Sequence, residues 1–145
     1  MSFYNTPERF VYSFNAVNFG SNTTRYFKGP NGKIGKVVEI SAAATTSFTG
    51  TTAPGEIKLG DGVTATKYAD LVLGAAGAGP AAGTVVRATD VTKIGSGAAL
   101  KGQDPTSLPF TFIAADQLVT IGFTAPTGTP AGVADVTIVV EYFEG

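Results

Sequence analysis

Ala134-Asp-Val-Thr-Ile-Val-Val-Glu-Tyr-Phe143 puts Val136, Ile138, Val140 and Tyr142 on one side of an extended chain and Asp135, Thr137, Val139 and Glu141 on the other. A period of two in β-branched and aromatic residues marks a strand with one buried face. The alternation recurs near the start of the chain. In Arg9-Phe-Val-Tyr-Ser-Phe-Asn-Ala16, the residues Phe10, Tyr12, Phe14 and Ala16 oppose Arg9, Val11, Ser13 and Asn15. Gln117-Leu-Val-Thr-Ile-Gly-Phe-Thr124 groups Val119, Ile121 and Phe123 against Leu118, Thr120 and Gly122.

Further strands are expected at Ile34 to Ala43, Glu56 to Leu59, Thr84 to Thr89 and Leu108 to Ile113, where Phe110 and Phe112 share a face. The separators are turn-rich: residues 50–55, 60–62, 74–83, 95–97 and 125–132 are built from Gly, Pro, Ala, Thr, Ser and Asp. Gly74 to Gly83 carries no side chain able to pack and reads as a flexible loop. One or two helical turns around Thr66-Lys-Tyr-Ala-Asp-Leu71 are the sole helix candidate, and a strand fits there too. Many short strands with Gly and Pro turns predict an all-β, two-sheet antiparallel sandwich with at most one short helix. A jelly roll closes eight such strands and pairs off their edges. An immunoglobulin-like sandwich is the rival, weakened by the absence of Trp and Cys. At 145 residues one domain is expected, with 1-28 an aromatic-rich arm and first strand belonging to the same domain as a β-sandwich core at 29-145.

Composition removes much chemistry. Without Cys there is neither a disulfide framework nor a thiolate metal site, and without His the usual general base and commonest metal ligand are missing. Triads of the Ser-His or Cys-His kind are excluded. Carboxylates remain, but Asp61, Asp70, Asp90, Asp104, Asp116 and Asp135 form no recognisable pair in sequence and mostly sit at strand ends, where Asp caps turns. Gly60-Asp-Gly62 fails the calcium-loop pattern after one residue. No catalysis, cofactor or metal is expected. The start, Met-Ser-Phe-Tyr-Asn-Thr-Pro-Glu-Arg9, has no basic segment followed by an apolar run, so no signal peptide is expected, and no apolar stretch is long enough to predict a membrane helix. Only 14% of residues are charged against 43% hydrophobic, a balance suited to life inside an assembly.

Phe27-Lys-Gly-Pro-Asn-Gly-Lys33 looks like a phosphate cradle, but the spacing to Gly32-Lys33 and Gly35-Lys36 is wrong, and Ile34 and Val37 stand where a hydroxyl is needed. It reads as a tight turn with Pro30 at its first corner and Asn31-Gly32 after it. Residues 1–36 hold Arg9, Arg25, Lys28, Lys33 and Lys36 against Glu8 alone, while the rest sets five basic residues against ten carboxylates. This dipolar layout suits an acidic partner surface, and scattered solvated lysines explain it as well. The acidic overall balance counts against nucleic acid.

Eight of the fifteen aromatics, Phe3, Tyr4, Phe10, Tyr12, Phe14, Phe19, Tyr26 and Phe27, lie in the first 28 residues. They either feed the core through a first strand and its return or form an arm that docks on a neighbour. Burying a large apolar side chain contributes about 1.5 to 3 kcal/mol, whereas fixing one residue's backbone costs about 1 to 2 kcal/mol. Eight aromatics do not order such a segment unaided, so it must add strands to a sheet.

Phe27-Lys-Gly-Pro-Asn-Gly-Lys-Ile-Gly-Lys-Val-Val-Glu-Ile-Ser41, Gly55-Glu-Ile-Lys-Leu-Gly-Asp-Gly62 with Lys67-Tyr-Ala-Asp-Leu71, and Asp135-Val-Thr-Ile-Val-Val-Glu-Tyr-Phe143 together resemble cement, or decoration, proteins of tailed bacteriophage capsids. The resemblance covers most of the chain in length, strand and turn layout, absent Cys and His, and aromatic start, and has no residue-level motif. It implies a small jelly-roll virion protein on the outer surface of the capsid that binds the major capsid protein, bridges neighbouring subunits and meets copies of itself as a dimer or trimer. It implies no enzyme activity and neither a nucleic-acid nor a membrane partner. Phe3, Tyr4, Arg9, Lys28, Lys33 and Lys36 are the expected partner contacts, with the Gly/Pro loops at one end of the sandwich. The alternatives are a carbohydrate- or receptor-binding β-sandwich module of a phage fibre or tail and a small glycosidase-like enzyme.

Overall fold

The computed structural model of the chain describes residues 7–89, 98–100 and 112–144. Nine strands follow one another: β1 (Glu8–Asn18), β2 (Thr23–Lys28), β3 (Lys33–Thr49), β4 (Gly55–Gly60), β5 (Ala69–Leu73), β6 (Val85–Thr89), β7 (Ala98–Leu100), β8 (Leu118–Thr124) and β9 (Ala131–Glu144), and the described residues include no helix. One sheet has the order β1-β9-β3-β6 and the other β2-β8-β4-β5-β7, with every pairing antiparallel.

The order is that of a folded ribbon. β1 pairs with β9, β2 with β8, β3 with β6 and β4 with β5, as if a long hairpin had been wrapped so that β9 also reaches β3 and β8 also reaches β4. This is the double Greek key of a jelly roll, with the three-residue β7 added at one edge. Among the described strands only β4 and β5 are sequence neighbours that pair, whereas an immunoglobulin sandwich sets its first strand beside its second.

The alternating positions fill the space between the sheets. Val136, Ile138, Val140 and Tyr142 of β9, Val119, Ile121 and Phe123 of β8, and Ile57 and Leu59 of β4 are buried with Ile40, Leu71 and Leu73. β5 resolves the helix candidate as a strand: Ala69, Leu71 and Leu73 point inward, and the preceding Tyr68 is buried as well. The strand expected at Leu108 to Ile113 falls largely outside the described residues; Ile113 itself bridges Gly35.

β1 departs from its simple alternation. Ala16 adopts a left-handed φ of 53°, its N–H donates to Oδ1 of Asp135 at 2.8 Å, and the register slips between Phe14 and Val17. This bulge turns Ala16 outward and lets Val17 pack on the core in its place. Gly74 to Gly83 also differs from its reading as a flexible loop. Its backbone is tied down by Gly77 N–H to the Gly50 carbonyl (2.6 Å), Phe48 N–H to the Pro80 carbonyl (2.9 Å) and Gly83 N–H to the Ala44 carbonyl (2.7 Å). Main-chain pairing needs no side chains, and a Cβ at Gly79 would come within 2.8 Å of the Phe48 Cβ.

Candidate interaction surface

β3 and β9 run the length of the sandwich in opposite directions, so the start of one and the end of the other define a single end of the molecule. Most of the basic residues expected as contacts gather there. Arg9 pairs with Glu141 (Nε to Oε2, 3.1 Å), Lys33 with Glu8 (2.6 Å) and Glu144 (4.0 Å), and Lys28 reaches Asn31 (3.2 Å) and Asp116 (3.9 Å). Lys36 lies across from Glu141 on β9, which in turn faces Arg9 on β1. The hydrogen bond to Glu8 raises the pKa of the Lys33 ammonium. The dipolar chain is thus folded against itself: the pairing of β9 with β1 and β3 lays the acidic C-terminal segment over the basic start. Such exposed pairs are screened by solvent and add little to stability. Phe3 and Tyr4 lie outside the described residues.

The glycine-rich stretch at this end serves an aromatic ring. Lys33 N–H closes a turn onto the Pro30 carbonyl at 3.2 Å, so Pro30 is the residue before the corner and Asn31-Gly32 form it, with Gly32 at φ 76°. A Cβ at Gly29 would lie 2.5 Å from Cζ of Tyr142, and one at Gly35 would lie 2.8 Å from its Cε1. The buried Tyr142 ring fills both spaces, its hydroxyl sharing a hydrogen bond with that of Tyr12 (2.8 Å). Burial, and then that bond, push its pKa far upward. Phe10 meets the ring edge-on at 5.3 Å, and Tyr12 stacks on Phe27 at 4.2 Å. The aromatic start is therefore divided: Phe19 and Phe27 are core, Tyr12 and Phe14 are half-buried, and Phe10 and Tyr26 are exposed. β1 and β2 are edge strands of their sheets, and of their residues only Phe27 is buried.

The opposite end has a different character. No charged side chain occurs in residues 16–24, 40–55, 71–86 or 122–134. The fold brings all four segments together: Phe19 N–H donates to the Gly132 carbonyl (2.8 Å), Ala125 N–H to Oδ1 of Asn22 (2.8 Å), Thr51 N–H to the Gly128 carbonyl (3.1 Å) and Gly77 N–H to the Gly50 carbonyl (2.6 Å). The result is a cross-braced cap exposing Ser21, Thr51, Thr52, Ala76, Thr127 and Pro130. The four uncharged runs were legible in the sequence; their convergence was not.

On the outer face of the second sheet, Gly122 leaves a hollow of about 280 Å³ bordered by Thr24, Lys58, Thr120 and Thr124. The 60–67 loop walls it. There Asp61 accepts the N–H groups of Thr64 (2.8 Å) and Val63 (2.9 Å) and pairs with Lys67 (3.1 Å), which hold its carboxyl down at about 2. Beside the hollow, Glu56 and Asp70 touch across β4 and β5, and burial followed by this contact raises the Glu56 pKa. Among the described residues no group of three metal-ligating side chains is present. No protein-family model matches the chain, and comparison with curated proteins finds no match.

Proposed function

We propose that the protein is a structural virion protein, a capsid decoration protein that binds the outer head shell of a tailed phage, touches the major capsid protein and copies of itself, and bridges neighbouring subunits. The observation that carries this reading is the uncharged, cross-braced cap. Interface centres are depleted of charge, and a surface already held by main-chain hydrogen bonds loses little freedom on docking. A contact of standard size, on the order of 1,600 Å² in total, gains avidity when several subunits are engaged at once. The charged end, with its pairs made within the chain, faces away from the shell or adds a salt-sensitive rim.

The test uses heads of the phage that encodes the chain, stripped of this protein and reloaded. Thr51→Lys and Thr127→Glu each place an unpaired charge in the contact and are expected to abolish occupancy and the gain in head melting temperature, with the free protein's own melting unchanged. Full occupancy by both variants would refute the reading.

A specific observation favours one other function, a carbohydrate- or receptor-binding module. The hydroxyl-lined hollow lies next to Tyr26, which is exposed and pairs with Thr120 across the strands. Binding of isolated glycans that is lost in Tyr26→Ala would favour it.

A further inference from the structure

Gly122 lies in the interior of β8, which is itself held between β2 and β4, and glycine weakens a strand there because it has no side chain to pack. The fold does not demand it. Among the described glycines, Gly122 is the one with neither a positive φ nor a close neighbour: an added Cβ would meet Lys58 alone, 3.7 Å from its Cβ and 4.0 Å from its carbonyl oxygen, which are ordinary contacts. β8 also keeps an unbroken register with both neighbours, so no bulge explains the residue. The remaining reason for a strand glycine is the close approach of a ligand to the backbone, and Gly122 lines the hollow of about 280 Å³ on the outer face.

The lining has the mixed character of a sugar ring, which carries C–H groups on its faces and hydroxyls around its rim. Thr24, Thr120 and Thr124 border the hollow with hydroxyls that donate and accept, Lys58 adds a donor, and Val63 and Ala65 form an apolar wall. That wall is braced before any ligand arrives, because the Asp61 carboxylate accepts the Val63 and Thr64 N–H groups at 2.9 and 2.8 Å, while the Val63 side chain stays 93% exposed. A cavity of about 150 Å³ holds benzene, so the hollow has room for one hexose with its hydroxyls and too little for two. Charge then separates neutral from acidic sugars. Lys58 is the one charged residue lining the hollow, and its ammonium already has Glu56 at 3.8 Å, which in turn touches Asp70, so no net positive charge is left to favour an anion. We propose that the hollow over Gly122 holds one neutral hexopyranose ring. This ligand class rests on the hollow being a carbohydrate site and does not depend on contact with a capsid.

Gly122→Thr fills the hollow without straining the fold, since its Cβ fits and a β-branched residue suits a strand. Amide shifts of the isotope-labelled full chain are followed as the methyl glycosides of glucose, galactose, mannose and N-acetylglucosamine, then glucuronate and inorganic phosphate, are titrated in. The expected result is saturable shifts at Val63, Thr120 and Gly122 with at least one neutral glycoside, and binding weaker by about tenfold or more in Gly122→Thr, whose Tm is no lower than the parent's. Thr120→Val, which removes a hydroxyl at nearly constant shape, should weaken the same binding. A neutral glycoside that binds Gly122→Thr and Thr120→Val as well as the parent leaves the protein a sugar binder and overturns this site. Saturable shifts with glucuronate alone keep the hollow a carbohydrate site and overturn the neutral ring. Shifts with phosphate alone, or with none of the probes, overturn both the ring and the carbohydrate reading.

Discussion

Gly29→Ala tests whether the glycine-rich turn exists for the Tyr142 ring. The added methyl would lie 2.5 Å from Cζ and 2.8 Å from the hydroxyl oxygen of Tyr142, where carbon contacts need about 3.5 Å or more. The ring has nowhere to go. It is 1% exposed, its hydroxyl is held by Tyr12 at 2.8 Å, and a Cβ at Gly35 would already sit 3.0 Å from its Cδ1 on another side. Overpacking costs about 1 to 3 kcal/mol, and two ring carbons and the hydroxyl oxygen struck at once put this case at the upper end. For a domain of this size that lowers Tm by roughly 6 to 12 °C. The assay is thermal unfolding of four proteins: the parent, Gly29→Ala, Tyr142→Leu and the double variant. Because the clash requires the ring, Gly29→Ala should cost much less in the Tyr142→Leu background. Gly32→Ala is the control, since its φ of 76° is strained but nothing lies within 4 Å of the new methyl; it should cost about 1 kcal/mol in either background. An undiminished penalty for Gly29→Ala without the ring, or no penalty with it, would refute the reasoning.

Two further outcomes follow from the packing and the charges. Ile138→Ala, in the middle of β9 and fully buried, should lower stability by about 2 to 5 kcal/mol in urea titrations without changing the oligomeric state. The Asp61 carboxyl is held at about 2, below its ordinary 3.8, so its contribution is present above the ordinary value and is lost as pH falls from about 4 towards 2. Urea midpoints of the parent and of Asp61→Asn should therefore differ near neutrality and converge across that window, and parallel curves would show that the turn does not hold the charge.

Local pattern carried much of this fold. Val136, Ile138, Val140 and Tyr142 alternate without interruption in sequence and in burial, as do Val119, Ile121 and Phe123. β5 was ambiguous because Tyr68, Ala69, Leu71 and Leu73 are too few to separate a period of two from a helical face, and pairing with β4 decides it. The outward Ala16 was hidden for a related reason: its bulge depends on Asp135, which lies far away in sequence and arrives only when β9 pairs with β1. The candidate surfaces share that difficulty. Glu56 and Asp70 become neighbours through cross-strand register, and Phe112 meets Phe143 through the bridge between Ile113 and Gly35. The glycines at 29 and 35 invited a chemical reading because sequence shows that space is left open but not which side chain fills it.

The place of β9 bears on how the molecule comes into being. It is the last described strand to be synthesised, yet it lies inside its sheet, between β1 and β3, and supplies the partner for both. Until it emerges from the ribosome, β1 has no partner among the other described strands and β3 has β6 alone among them, so the nascent chain carries two strands of β-branched and aromatic residues with open edges. Contacts between such distant parts of a chain form slowly, and exposed edges in the interval invite association with other nascent chains. A chain terminated before Ala131 would therefore not be a slightly smaller sandwich but an aggregating fragment.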